Sequence, residues 1–306
     1  MKVLSLFDGI SCARVALERS AWIVESYHAS EVDKYAIQIS NKNYPDILHL
    51  GSVMDINPLP QYDLLIGGSP CQDLSIAKKN RKGLAGDKSG LFWEYVRILR
   101  ITKPKFFILE NVASMSQEAK DQISNELGIQ PVMIDAALVS AQQRKRLFWV
   151  GERKSDGTYS QVHIEQPKDR GILLKDILVG GMAEREKSLV ITATYSSACP
   201  RDYFTRSSRQ LIKVGHFNKG GQGDRVYSID GKSCTLSACG AKTGLYETTQ
   251  GIYRKLHPIE CERLQGLPDG YTEGISNTQR YKCLGNAFNV DVITHILNQL
   301  DIDPLI

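Results

Sequence analysis

The 306-residue sequence has neither a long hydrophobic run nor a cysteine pair of the kind that binds zinc. Nowhere do about 18 apolar residues follow one another, and the first stretch, MKVLSLFDGIS, reaches glycine and polar residues too early for a signal peptide. The seven cysteines form no C-x-x-C pair and are odd in number, which argues against a zinc site and a full disulfide framework. These absences favour a cytoplasmic protein with reduced thiols, no metal and no membrane anchor.

An excess of charge of one sign is also missing. The formal net charge is only +4, which is too modest to demonstrate a polyanionic partner. Basic residues are nevertheless concentrated between Lys78 and Lys88, where KKNRKGLAGDK has five basic residues and one acidic residue. This stretch is interpreted as a flexible basic loop, and the alternative is an ordinary solvated surface loop.

The order of apolar runs predicts the fold. In the first half, the β-type runs KVLSLF, IVESYHAS, YDLLIGG and KFFILE alternate with helical patterns. This rhythm predicts an α/β fold with a doubly wound, mostly parallel sheet, whose ligands bind at the carboxyl ends of the strands. Later the composition shifts to glycine, serine, threonine and scattered aromatics. We therefore expect one domain over 1–153 and 275–306, and a smaller irregular domain over 154–274.

Two polar features follow the first two predicted strands. Gly9, in FDGIS, permits close approach of a ligand at the start of a helix. Glu31 lies 31 − 9 = 22 residues later, near the spacing at which an acid accepts ribose hydroxyls. Ordinary turn geometry for Gly9 and a helix-starting role for Glu31 are the alternatives. Together the two residues favour a nucleoside-containing ligand.

Candidate catalytic groups follow the next two strands. Cys71 comes after YDLLIGG and before the basic loop, whose cations favour a thiolate; an inert cysteine is the alternative. Glu110 follows an apolar run, where poor solvation keeps a proton available for donation; a helix-capping acid is the alternative. Gln142, Arg144 and Arg146 alternate, so an extended segment would place them on one face. That face suits a phosphate, carbonyl or carboxylate group, or a surface row of salt bridges.

The sequence carries an ordered set of motifs: FDGIS, SPCQ, ENV, Q-x-R-x-R, RKLHPIECERLQGLP and GNAFNV. The set resembles that of the C5 cytosine DNA methyltransferases and spans nearly the whole chain, except about 154–250, which is the variable target-recognition region in that family. The loop from Asp73 to Leu91 resembles that of the DNMT3-type and phage enzymes in particular. The resemblance implies the fold of S-adenosylmethionine-dependent methyltransferases and an enzyme that flips a cytosine out of duplex DNA and methylates its C5 atom.

The resemblance also assigns roles to residues. It makes Cys71 the nucleophile and Glu110 the group that binds and protonates cytosine N3, while Arg144 and Arg146 hold the base and the nucleophile. The implied cofactor residues are Phe7, Gly9, Ile10, Glu31, Val32, Ser52, Val53, Pro70, Leu91, Asn286 and Ala287. The implied DNA contacts are Gln72, Ser75, Lys78, Lys79, Arg81, Lys82, Gln142 and Thr235.

The chain departs from the family pattern at the cofactor end. Ser11 and Cys12 stand where small glycines are common. Ser52 stands where the family usually has an aspartate that binds adenine N6, so we expect a weaker hydrogen bond there.

Two rival functions remain open. One is a catalytically silent DNA-binding member, which the retention of Cys71, Glu110 and both arginines argues against. The other is a tRNA methyltransferase, which the absence of a C-F-T string argues against. The leading interpretation is a monomeric enzyme that modifies double-stranded DNA, as in restriction-modification or phage self-protection. Basic residues interleaved with aromatics in PRDYFTRSSRQLIK suit phosphate and groove contacts.

Overall fold

A computed structural model describes residues 1–20, 22–57, 61–69, 91–215, 245–248 and 251–301 of the chain. The chain divides into two compact units. The first comprises Met1–Asp135, Lys145–Lys168 and Phe288–Ile306, and the second comprises Ala136–Arg144 and Asp169–Ala287. None of the helices in these described ranges is long and apolar enough to cross a membrane.

The regular elements are numbered in chain order. The strands are β1 Lys2–Leu6, β2 Ser26–Ser30, β3 Leu48–Gly51, β4 Leu64–Gly68, β5 Phe106–Val112, β6 Val132–Asp135, β7 Lys145–Arg153, β8 Tyr159–Gln161, β9 Leu211–Gly215, β10 Leu245–Thr248 and β11 Gly251–Lys255. The helices are α1 Cys12–Arg19, α2 Lys34–Asn43, α3 Leu91–Thr102, α4 Gln117–Leu127, α5 Leu174–Ile177, α6 Pro258–Leu264, α7 Asn277–Asn286 and α8 Val290–Leu297.

The first unit is built on a mixed sheet with the strand order β3-β2-β1-β4-β5-β7-β6, and β8 pairs with β7. Strands β1 to β5 pair in parallel, whereas β7 runs antiparallel to β5, β6 and β8. Leu4, Leu65, Phe107 and Trp149 are fully buried in its core. Continuous apolar strands of this kind are typical of parallel sheets that are covered on both faces. The prediction of a doubly wound, mostly parallel sheet is confirmed.

Polar residues fix the starts of the helices in this unit. Asp33 accepts the backbone N–H of Tyr35 at the start of α2, Ser116 caps α4, and Asn289 caps α8. Such caps satisfy backbone donors that a helix cannot pair internally. Helix α8 packs on α1, and Asp291 lies 3.2 Å from Arg19. The last helix therefore belongs with the amino-terminal sheet.

The parallel register brings several strand ends to one edge of the sheet. Leu6 pairs with Ser30 and Gly67, Ser30 pairs with Gly51, and Gly68 pairs with Glu110. The order of strands reverses between β1 and β4, and ligands bind in open α/β sheets at such a switch point.

The second unit has less regular structure but a well-bonded interior. Its strands in the described residues pair antiparallel in the order β10-β11-β9. Glu260 is fully buried and pairs with Arg254 at 2.6 Å, and Glu262 is fully buried and pairs with Arg280 at 2.8 Å. Buried charges persist when they are paired and hydrogen-bonded, so this irregular region is a folded body. Helix α6 begins at Pro258, whose fixed φ angle suits the first position of a helix.

Candidate functional site

A strained turn follows β1 at the carboxyl edge of the sheet. The backbone φ angle is 57° at Phe7, 61° at Gly9 and 60° at Ser11. Left-handed values are uncommon for residues other than glycine and concentrate at functional sites. A Cβ atom built on Gly9 would meet nothing within 4 Å, so the space in front of this glycine is open. The turn can therefore admit a ligand close to its backbone.

Glu31 is bound directly to this turn. Its Oε2 atom accepts the backbone N–H of Gly9 at 2.8 Å. Its Oε1 atom accepts the N–H groups of Val32 at 2.7 Å and Asp33 at 2.8 Å. A carboxylate has about four acceptor positions, so these three bonds fix its orientation and leave capacity for a ligand hydroxyl. The structure thus joins the two residues that the spacing of the sequence predicted to serve one ligand.

The segment after β3 differs from its expected arrangement. Ser52 accepts the N–H of Met54 at 3.2 Å and so caps a short 3₁₀ turn, Val53–Asp55. Val53 is 4% exposed and packs in the core, whereas Met54 is 60% exposed. Because the turn rotates successive side chains, Met54 rather than Val53 presents an apolar side chain to the surface here. No local sequence pattern distinguishes these two residues.

The remaining expected cofactor residues of the first unit have different degrees of burial. Phe7 and Leu91 are partly buried and pack against the hydrophobic core. Ile10 is 1% exposed, and Val32 is 73% exposed. A ligand at this edge would therefore contact Val32 through its side chain, whereas the side chain of Ile10 supports the turn from inside.

Glu110 and Arg146 form an ion pair at the neighbouring strand end. The Nε atom of Arg146 lies 2.8 Å from Oε1 of Glu110, and both side chains are mostly buried. The register of β5 with β7 places Arg146 opposite Val112, two residues beyond Glu110. The sequence predicted apolar surroundings for Glu110, but the structure places the guanidinium group of Arg146 beside it. This cation balances the carboxylate charge at close range.

Two residues that the sequence did not single out hold this corner. A Cβ atom built on Gly68 would lie 3.0 Å from Oε2 of Glu110 and 2.8 Å from Cε1 of Phe288, so the carboxyl group lies where only glycine leaves room. The Nδ2 atom of Asn111 donates to Oγ of Ser69 at 3.2 Å. The ends of β4 and β5 are thereby tied together at the residue that precedes Pro70 and Cys71. In the sequence, Gly68 and Asn111 are the second glycine of YDLLIGG and the asparagine of ENV, and their places in these motifs could have indicated them.

Arg144 supports a backbone turn in the second unit. It is 4% exposed, and its guanidinium group donates to the carbonyl groups of Ile191 at 3.2 Å, Gly285 at 3.2 Å and Ala287 at 2.8 Å. Two of these carbonyls flank Asn286, which is exposed at the end of α7. Arg144 therefore fixes the backbone around the two residues expected to close the cofactor site.

Gln142 has an interior position in the same unit. Its side chain is fully buried; Nε2 donates to the carbonyl of Leu264 at 3.3 Å, and Oε1 accepts the N–H of Ile191 at 3.1 Å. Strand β7 begins only at Lys145, so the expected row of three side chains on one extended face does not form. The placement of Gln142 differs from the expected DNA contact because its amide group is used inside the protein.

Other expected site residues lie outside the described residues. They are Pro70, Cys71, Gln72, Ser75, Lys78, Lys79, Arg81, Lys82 and Thr235. Among the cysteines that the structure does describe, Cys12, Cys261 and Cys283 are buried, and Cys199 is partly exposed. Burial raises the pKa of the Cys261 thiol well above its usual value, which keeps it protonated and unreactive. In the described part of the chain, no group of three or more His, Cys, Asp or Glu side chains is arranged to hold a metal ion.

Comparison with known proteins identifies relatives over the whole chain. Residues 1–301 match the family model described as C-5 cytosine-specific DNA methylase. The chain is 30% identical to the type II methyltransferase M.HhaI of Haemophilus parahaemolyticus over 97% of this chain and 93% of that protein. It is 31% identical to the type II methyltransferase M1.ScrFI of Lactococcus lactis subsp. cremoris over 98% of this chain and 77% of that protein.

The fold has a solved counterpart as well. The structure of the Entamoeba histolytica methyltransferase EhMeth matches with a TM-score of 0.68 at 15% identity, covering 97% of this chain and 96% of that one. At this level of identity the likeness concerns the fold alone.

Proposed function

The chain belongs to the C-5 cytosine-specific DNA methylase family, and from this premise we propose that it transfers a methyl group from S-adenosylmethionine to C5 of a cytosine in duplex DNA. One observation carries the proposal for this chain. Glu110, paired with Arg146, lies against Gly68 at the strand end from which the chain continues through Ser69 to Cys71. An acid at one strand end, and a cysteine that follows the neighbouring strand by three residues in the sequence, suit nucleophilic catalysis with proton donation.

The residues near β1 fit an S-adenosylmethionine molecule. Open space in front of Gly9 leaves room for close backbone approach, and the fixed carboxylate of Glu31 is suited to a ribose hydroxyl. Val32 and Met54 offer exposed apolar surface at the same edge. When bound, S-adenosylmethionine supplies an electrophilic methyl group.

Cys71 and Glu110 act on the cytosine ring. Cytosine C5 is a poor nucleophile by itself, so the Cys71 thiolate adds to C6 while Glu110 provides a proton at N3. The ring then has enamine character, and C5 attacks the methyl group, whose bond to sulfur breaks to leave S-adenosylhomocysteine. Transfer of the C5 proton to water, expulsion of the thiolate and return of the N3 proton to Glu110 restore the aromatic ring and release the cysteine. Arg146 favours the first step because its charge stabilises the Glu110 carboxylate after the proton has left.

The substrate must leave the base stack for this chemistry. A cytosine inside a duplex does not expose C6 to a side chain, so we infer that the enzyme flips the base out of the helix. The basic stretch between Lys78 and Lys88 is suited to phosphate contacts beside the nucleophile. We assign base recognition to the second unit and infer a cytoplasmic role in DNA modification of the restriction-modification kind, since the relatives above are type II methyltransferases.

Methyl transfer by the purified protein tests this function. The protein is incubated with S-adenosylmethionine and either an unmethylated duplex or tRNA, and 5-methylcytosine is measured by nucleoside mass spectrometry. We expect methylated DNA with the wild type and with Cys199→Ala, a control at a partly exposed thiol, and none with Cys71→Ala. Modification of tRNA without modification of DNA, or activity in Cys71→Ala, would contradict the proposal.

A further inference from the structure

The turn after β1 contains a serine in a conformation that glycine favours. Ser11 has φ 60° and ψ 36°, and its side chain makes no capping hydrogen bond to α1, although it occupies the cap position. A Cβ atom makes this left-handed conformation unfavourable. Ser11 is nevertheless fully buried in a well-defined turn, so other interactions must hold it there.

Asp8 provides the interaction. Its carboxyl group is buried, and Oδ2 accepts the hydroxyl of Ser11 at 2.6 Å. The other oxygen, Oδ1, accepts the hydroxyl of Tyr27 at 2.6 Å. The backbone N–H of Ser11 also donates to the carbonyl of Asp8 at 3.2 Å. Asp8 thus binds both the side chain and the backbone of Ser11, and Tyr27 anchors Asp8 to strand β2.

A second set of hydroxyl groups completes the arrangement. The Oγ atoms of Ser11 and Ser40 lie 2.6 Å apart. A serine hydroxyl has one proton, so when Ser11 donates to Asp8, the hydroxyl of Ser40 donates to Ser11. His49 Nε2 lies 3.3 Å from Oγ of Ser40 and continues this chain in the tautomer that is protonated at Nε2. A chain of hydrogen bonds therefore leads from His49 on β3, through Ser40 on α2 and Ser11, to the carboxyl group of Asp8.

We propose that Asp8 and Ser11 are positioning residues for the S-adenosylmethionine site, because their hydrogen bond holds the turn in the shape that presents the Gly9 N–H to Glu31. The pair does with two side chains what a further glycine does by conformational freedom alone. This inference rests on the proposed function, since S-adenosylmethionine is the ligand of the turn.

A rescue experiment tests the inference. The affinity of the full chain for S-adenosylhomocysteine is measured by calorimetry without DNA. Asp8→Ala removes the carboxylate that accepts the Ser11 hydroxyl and leaves Ser11 in a left-handed conformation with only its contacts to Ser40 and the backbone, so we expect the dissociation constant to rise about tenfold. Adding Ser11→Gly should restore the dissociation constant to within about threefold of the wild-type value, because glycine adopts the turn unaided, whereas adding Ser11→Ala should not. Ser20→Ala, which removes a buried hydroxyl at the other end of α1, is the matched control.

The outcomes separate this inference from the proposed function. No binding by the wild type would overturn the proposed function. Binding by the wild type, with no recovery in Asp8→Ala/Ser11→Gly, would overturn the positioning role, because direct ligand contact or general loss of packing cannot be rescued by glycine. If Asp8→Ala does not fold, the single variants decide: Ser11→Ala should bind about fivefold more weakly than Ser11→Gly, and equal binding would refute the inference.

Discussion

At the scale of single residues, the chemistry that we propose depends on the pairing of Glu110 with Arg146. The two side chains are 2.8 Å apart and mostly shielded from water. In such a position the negative charge that remains on a carboxyl group after it donates a proton is compensated by the guanidinium group. The pair therefore suits the proton transfer to cytosine N3 that we propose.

Substitution of Glu110 tests this role. Glu110→Gln keeps the shape of the side chain and removes its acidic proton, so we expect turnover to fall about 100-fold or more while DNA affinity is retained. Single-turnover methylation and a gel-shift assay measure the two properties. Glu152→Gln, on the neighbouring strand β7, is the matched control. A rate near that of the wild type in Glu110→Gln would remove Glu110 from the mechanism.

The sequence predicted some residue positions and not others. The 22-residue spacing from Gly9 to Glu31 predicted a shared ligand, and the structure joins the two residues by a hydrogen bond. The positions of Gln142 and Arg144 were not predicted, because their hydrogen-bond partners are distant in the sequence. Arg144 donates to carbonyl groups 47, 141 and 143 residues away. Local alternation carries no information about such partners.

At the scale of elements, the ends of β4 and β5 form one structural corner. The sequence predicted both strands from their runs YDLLIGG and KFFILENV, and the second run ends at Val112, as β5 does. Strand β7 pairs with Asn111 and Val112 at this end. A partner strand more than 30 residues later is invisible to a local pattern, whereas the apolar run of the strand itself is not.

Gly68, at the end of β4, lies so close to Glu110 that a larger residue there should affect turnover. In Gly68→Ala the added methyl group would lie 3.0 Å from Oε2 of Glu110 and 2.8 Å from Phe288, so the carboxyl group must move. We expect turnover to fall about tenfold or more, since small displacements of a catalytic group have large kinetic effects. Gly180→Ala, where the added atom meets nothing within 4 Å, is the control. Equal single-turnover rates for the two variants would show that the position of Glu110 is not critical.

At the scale of the whole molecule, the two compact units have different bounds from the domains that the change of composition predicted. The change of composition near Glu152 predicted a second domain over 154–274. The compact units instead keep Lys145–Lys168 with the sheet, because β7 and β8 pair there, and assign Ala136–Arg144 to the second unit. Side chains such as Gln142 bind the interior of that unit. The change of composition indicated that a second domain exists, whereas the bounds of that domain depend on strand pairing and on buried hydrogen bonds.

Above all, we propose that Cys71 forms a covalent bond to cytosine C6 during methyl transfer. In this mechanism the enzyme leaves the base only after the C5 proton is removed, and fluorine at C5 cannot leave as a proton. The most direct test is a duplex with 5-fluorocytosine at the target position, analysed by denaturing electrophoresis. We expect a protein-DNA adduct that forms only with S-adenosylmethionine and is absent in Cys71→Ala, although that variant still binds the duplex. Absence of an adduct with the wild type, or an adduct with Cys71→Ala, would contradict the claim.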